Sequence, residues 1–123
     1  MLTADRQDNE TLLLKALDRT LQLGFEEVKC DTDGYERPNA FMSKERDIEI
    51  VPDITAVKGG RKHIIELGLK TDDTVSLKSK WLFLKTLSEM RHQPFLIFTT
   101  KGHMSFTNKM IKELDMTVKT LSF

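Results

Sequence analysis

Residues 52–70 read PDITAVKGGRKHIIELGLK, two β-like runs joined by Gly59-Gly60. A two-glycine turn of this kind folds its flanking runs into an antiparallel hairpin. Asp53 heads the first run and Glu66 lies near the end of the second, so the hairpin returns one carboxylate to the neighbourhood of the other. Two carboxylates held close repel. A divalent cation relieves that repulsion, and beside a phosphate it polarises an oxygen and acidifies a water. Mg²⁺ (or Mn²⁺) suits such a pair, because it accepts a few carboxylate oxygens and keeps several waters.

Outward from this hairpin the periodicity changes. Upstream, Asp8 to Leu23 predicts a helix, with Leu12, Leu13, Ala16, Leu17 and Leu21 at helical spacing and Asp5 or Asp8 as cap. Phe25 to Cys30 alternates as a strand. From Asp31 to Arg46 the composition turns to Asp, Gly, Pro, Asn and Ser, predicting a long surface loop. Asp47 to Val57 predicts a second strand, interrupted at Pro52, which has no N–H for a ladder. Arg61 to Lys70 is the third.

Downstream, Thr71 to Thr74 is a turn and cap for the longest helix, Val75 to His92, whose stripe is Leu77, Trp81, Leu84 and Leu87. Pro94 opens the apolar run Phe95 to Phe98, the pattern of a central strand. Ser105 caps a last helix to about Leu114, and Met116 to Leu121 alternates as an edge strand. The order α, β, β, β, α, β, α, β predicts an α/β fold with a mixed sheet flanked by helices, in one domain over residues 1–123.

Bulk properties narrow the class. At 39% hydrophobic and 31% charged residues the composition is that of a globular domain. One cysteine, Cys30, cannot staple the fold, and the chain shows neither a signal-like leader nor an 18-residue apolar span. The expectation is a cytoplasmic protein with no membrane partner. Net charge is zero, yet residues 1–57 carry 13 acids against 7 Lys/Arg and residues 58–123 carry 6 against 12. Either a basic binding face opposes an acidic one, or solvated charges scatter unevenly. No phosphate-cradling glycine loop, Ser-His-Asp set or Cys-x-x-Cys pair is present, which removes P-loop, serine-hydrolase and redox readings. His63, His92, His103 and Cys30 lack zinc-ligand spacing. Trp81 reads as core or dimer surface rather than a base-stacking platform.

The element order, with Pro52-Asp53-Ile54 on one strand and Ile64-Ile65-Glu66 thirteen residues later on the next, resembles the PD-(D/E)XK nuclease superfamily. Within it the chain is most similar to the archaeal-type Holliday junction resolvases. The resemblance covers most of the chain, from Glu10 on a first helix that ends in Leu23-Gly24-Phe25. It implies a restriction-endonuclease-like fold and a metal-dependent DNA endonuclease, selective for structure such as a junction and acting as a homodimer; a separate reading makes the chain one subunit of a larger nuclease or recombination complex. The resemblance implies Asp53, Glu66, the Leu67 carbonyl and Glu10 as metal ligands for Mg²⁺ or Mn²⁺.

The chain departs from the pattern at Gly68, where the family has its lysine. Glu66, Gly68 and Lys70 would share one strand face, so the lysine role falls to Lys70, with Lys78 or Lys80 on the next helix as alternatives. Lys58, Arg61, Lys62, Lys78 and Lys80 are candidate nucleic-acid contacts. The alternative is a catalytically degenerate nuclease fold serving as a nucleic-acid-binding or protein-interaction subunit.

Overall fold

The computed structural model describes residues 2–45 and 47–123, with side chains from residue 9 onward. In chain order the elements are α1 (Leu2–Gln22), β1 (Glu26–Cys30), β2 (Phe41–Ser43), β3 (Ile48–Ile50), β4 (Ile54–Lys58) and β5 (Arg61–Gly68). They continue with α2 (Thr74–Arg91), β6 (Phe95–Thr99), α3 (Met104–Glu113) and β7 (Lys119–Ser122). The fold is α/β, with a mixed five-stranded sheet in the order β1-β4-β5-β6-β7.

The decisive hairpin forms. Gly59 and Gly60 adopt φ of 61° and 74°, the left-handed pair that a two-residue turn of this hand requires. The turn sets the register Lys58↔Arg61 through Ile54↔Ile65 between antiparallel β4 and β5. β1 pairs antiparallel with β4, while β6 and β7 add in parallel beyond β5. The parallel pairs need crossovers, which α2 and α3 supply.

Each face of the sheet is covered. On one side, Ala16 and Leu17 of α1 pack with Ile54, Ala56, Ile65, Leu67, Leu96 and Phe98. On the other, Trp81 and Leu84 of α2 and Met110 of α3 pack with Ile64, Phe95 and Ile97. Strand alternation sorts neighbouring residues such as Ile64 and Ile65 between these two cores. Trp81 is fully buried, as the helical stripe implied, so it serves the core. Among the described residues no helix is long and apolar enough to cross a membrane.

Several boundaries differ from the expectation. The run Asp47 to Val57 is two strands, β3 and β4, in different sheets, because the chain turns at Pro52 and leaves one ladder for another. The long loop contains β2, which pairs with β3 as Phe41↔Ile50, Met42↔Glu49 and Ser43↔Ile48. Phe41 and Ile50 from this small hairpin pack into the α2 core. Asp5 and Asp8 lie inside α1, which begins at Leu2 rather than Asp8, so neither caps it, and Arg46 of the predicted loop lies outside the described residues. The α3 N-cap position belongs to His103, with Ser105 inside the helix. β5 ends at Gly68, two residues short of Lys70.

Truncating the α2-side core should be costly where burial is complete. Ile97 is 0% exposed, and Ile97→Ala should lower stability by about 2–5 kcal/mol in urea unfolding followed by Trp81 fluorescence. Leu82 on the outer face of α2 is 49% exposed, and Leu82→Ala should stay within about 1 kcal/mol of the parent.

Candidate active site

Pro52 starts the local geometry. It ends the preceding segment without donating a ladder bond and delivers Asp53 to the mouth of β4, next to Glu66 on β5. There the two acids bond reciprocally to each other's strands. The Asp53 N–H donates to Glu66 Oε2 at 2.7 Å, and the Leu67 N–H donates to Asp53 Oδ2 at 2.9 Å. These side chains continue the hairpin where its ladder stops, and each uses one carboxylate oxygen to do so.

The second oxygens meet a lysine. Lys80 Nζ lies 3.2 Å from Asp53 Oδ1 and 3.1 Å from Glu66 Oε1. The contact to Asp53 is a hydrogen bond. The contact to Glu66 is an ion pair without hydrogen-bond alignment, which leaves Glu66 Oε1 buried and without a hydrogen-bond partner. Lys80 comes from α2, whose start is capped by Asp73 Oδ1 accepting from the Ser76 N–H at 3.1 Å.

Burial dictates the electrostatics. The Glu66 side chain is 1% exposed. Loss of solvent, followed by the charge on Asp53, pushes its carboxyl up to about 8, with Lys80 pulling the other way. Burial alone would drive the Lys80 ammonium to deprotonate, but the attraction of Glu66 and Asp53 outweighs it and holds the group above the usual lysine range. The cluster therefore keeps a firm cation against two acids, one of which protonates readily. Cys30, on the neighbouring β1, is raised to about 11 by burial and by Asp53 and Asp31, so its thiol is neutral and inert.

The cluster opens into a cleft of about 540 Å³ whose walls include Glu10 and Leu13 of α1, Asp31, Leu67, Lys70 and the first turns of α2. Glu10 stands exposed at this rim. Among the described residues no three His, Cys, Asp or Glu side chains group closely enough to hold a metal, so Glu10 is not joined to the Asp53–Glu66 pair as a ligand. Leu67 borders the cleft, its backbone tied to Asp53.

A divalent cation would find two hard oxygens here, Asp53 Oδ1 and Glu66 Oε1, both of which face the Lys80 ammonium. That donor set fits Mg²⁺ or Mn²⁺ completed by water, and contains no sulfur or imidazole of the kind zinc takes.

The predicted lysines separate. Lys70 lies past the end of β5, exposed on the cleft wall, and its backbone N–H donates to His103 Nδ1 at 2.9 Å. The strand alternation that would have aimed it at the acids has ended by then. Lys58, Arg61 and Lys62 sit at the Gly59-Gly60 turn, at the opposite end of the hairpin from Asp53 and Glu66. Lys58 stands over the Phe25 ring at 5.4 Å, and Arg61 Nη2 donates to the His92 carbonyl at 3.0 Å. Lys78 pairs with Glu113 at 2.8 Å. Of the five candidate nucleic-acid contacts only Lys80 reaches the cleft. Its signal in the sequence was an interruption, a charge between Leu77 and Leu84 in the stripe that faces the sheet. No family model, curated protein or solved structure matches the chain.

The Glu66 carboxyl makes stability depend on pH. Its folded value of about 8 lies above the ordinary 4.5, so the folded state binds the extra proton between these limits. The stabilisation is complete below about 4.5 and is lost as pH rises through about 8. Chemical unfolding between pH 5 and 9 without divalent cation should show stability falling toward alkaline pH, and Glu66→Gln should flatten that slope.

Proposed function

We propose that the chain is a metal-dependent DNA endonuclease of the PD-(D/E)XK type, with Asp53 and Glu66 as the metal-binding acids and Lys80 as the lysine. The observation that carries this reading is the Lys80 ammonium lying 3.2 and 3.1 Å from the two acids, on the strand pair where the sequence motif falls. It replaces Lys70 in that role. A restriction-endonuclease-like arrangement is consistent with the mixed sheet and with the acids' position at the mouth of β4 and toward the end of β5.

Each residue has a task in phosphodiester hydrolysis. Water attacks phosphorus, the bond to the leaving alcohol oxygen breaks, and that oxygen gains a proton. Asp53 and Glu66 are held by the backbone of each other's strands, so their second oxygens stay in place and only the Lys80 ammonium has to shift for them to receive a cation. Held by Asp53 and Glu66, Mg²⁺ or Mn²⁺ would supply Lewis-acid polarisation of the phosphate and acidify a water. Lys80, kept charged by its neighbours, orients the attacking water and stabilises negative charge developing on the phosphate.

The cleft itself argues for a cation. Its walls carry Glu10, Asp31, Asp53 and Asp73 against Lys70 and Lys80, so a phosphate would meet net repulsion without one.

DNA is the substrate class we propose, with structure such as a junction as the feature selected, and a homodimer as the working unit. Val75, Leu82 and Met90 on the outer face of α2 are exposed apolar residues suited to such a dimer.

Cleavage of labelled four-way junction, flap and linear duplex DNA with Mg²⁺ or Mn²⁺ tests the reading. Asp53→Ala and Lys80→Ala should each lower the rate by at least about 100-fold. Lys70→Ala should keep it within about threefold, as for a wall residue that touches neither acid. Loss with Lys70→Ala and retention with Lys80→Ala would reverse the lysine assignment. No cutting by folded protein would leave a binding subunit.

A further inference from the structure

Gly68 has no backbone reason to be glycine, since it is absent from the residues of positive φ. The reason is space. A Cβ built on Gly68 would collide with Thr107 Oγ1, and would lie 2.7 Å from Thr107 Cγ2 and 3.1 Å from Thr107 Cβ. Both branches of the threonine crowd the position, so no rotation about its Cα–Cβ bond clears it. Thr107 is fully buried in the middle of α3 and cannot swing out to solvent.

A hydroxyl chain holds it there. Thr107 Oγ1 lies 3.1 Å from Thr99 Oγ1 on β6, and Thr99 Oγ1 donates to the Gly68 carbonyl at 2.9 Å. With that proton committed to Gly68, Thr107 is the donor to Thr99. The end of β5 is thereby pinned one residue beyond Leu67, whose N–H holds Asp53.

We infer that Thr107 is a positioning residue, interlocked with Gly68, that excludes any side chain from the strand two residues after Glu66 and so reserves the cation's place at the acid pair for α2. The inference rests on the proposed role of Lys80, but its steric part stands on geometry alone. Position 68 lies on the same strand face as Glu66, and α3 fills the space a lysine stem would need to start from that strand. Lys80 enters from α2 on that same side of the sheet. The glycine, the threonine and the helical lysine are one arrangement.

Two experiments test it. In thermal unfolding, Gly68→Ala should lower Tm by roughly 5–15 °C in the parent, and should cost no more than a few degrees in a Thr107→Gly background. Equal losses in both backgrounds would overturn the interlock.

The second compares Thr107→Gly/Lys80→Met with Gly68→Lys/Thr107→Gly/Lys80→Met. A crystal structure of the triple variant should place the introduced ammonium within about 4 Å of both Asp53 and Glu66. On any substrate the parent cuts, the triple variant should be at least about tenfold faster than the double, a gain that repacking alone would not produce. An ammonium turned away from the acids, or no gain in rate, would overturn the positioning role. If the parent cuts nothing, the nuclease reading fails, while the unfolding cycle and the crystal structure still decide this one.

Discussion

Glu66 is a carboxylate buried at the centre of a sheet, and the structure is organised around that constraint. An ionised acid in such a place costs several kcal/mol unless partners offset the lost hydration. Two are supplied from different directions, the Asp53 N–H from the neighbouring strand and the Lys80 ammonium from the overlying helix. The compensation is incomplete, because one oxygen has no hydrogen bond and the carboxyl is pushed up to about 8. An apolar residue would serve the core better at this site, so the acid's presence is a cost of the kind that functional sites carry.

That constraint passes to the helices. Lys80 reaches the acids only if α2 crosses the sheet at one height and one rotation. Trp81 and Leu84, packed with Ile64 and Ile97, set the rotation. The β2–β3 hairpin contributes Phe41 and Ile50 to the same cluster and braces the helix beside its inward face. Helix α3 closes on the strand end through Thr107 and Gly68. The cleft itself is walled by α1, the residues after β1, the end of β5 and the first turns of α2 rather than by one loop, which suits a site that must hold charges within tenths of an ångström.

The acid pair was readable because its geometry is local. A Gly-Gly turn and the alternation on either side set the register, and register alone carries Asp53 to Glu66. The burial of Trp81 was readable for a similar reason, from its place on a helical stripe. The β2 and β3 strands were not, because three residues span too little of a period to stand out from a loop rich in Asp, Gly and Pro. Lys70 was misplaced for want of one boundary: alternation aims a side chain only while the strand lasts, and β5 stops at Gly68. Lys58, Arg61 and Lys62 showed their charge but not their distance from the acids, which depends on lying at the turn end of the hairpin.

Local order thus settled two acids on adjacent strands and a glycine two residues after the second acid, all within one hairpin whose turn and alternation leave a single pairing. Which lysine answers them was decided by packing. The approach of α2 follows from packing among residues far apart in the chain, Trp81 and Leu84 in one cluster with Ile64 and Ile97, and short-range periodicity does not encode such contacts. A charge at position 80 looked like a flaw in an apolar stripe until the sheet beneath it supplied Asp53 and Glu66 as partners.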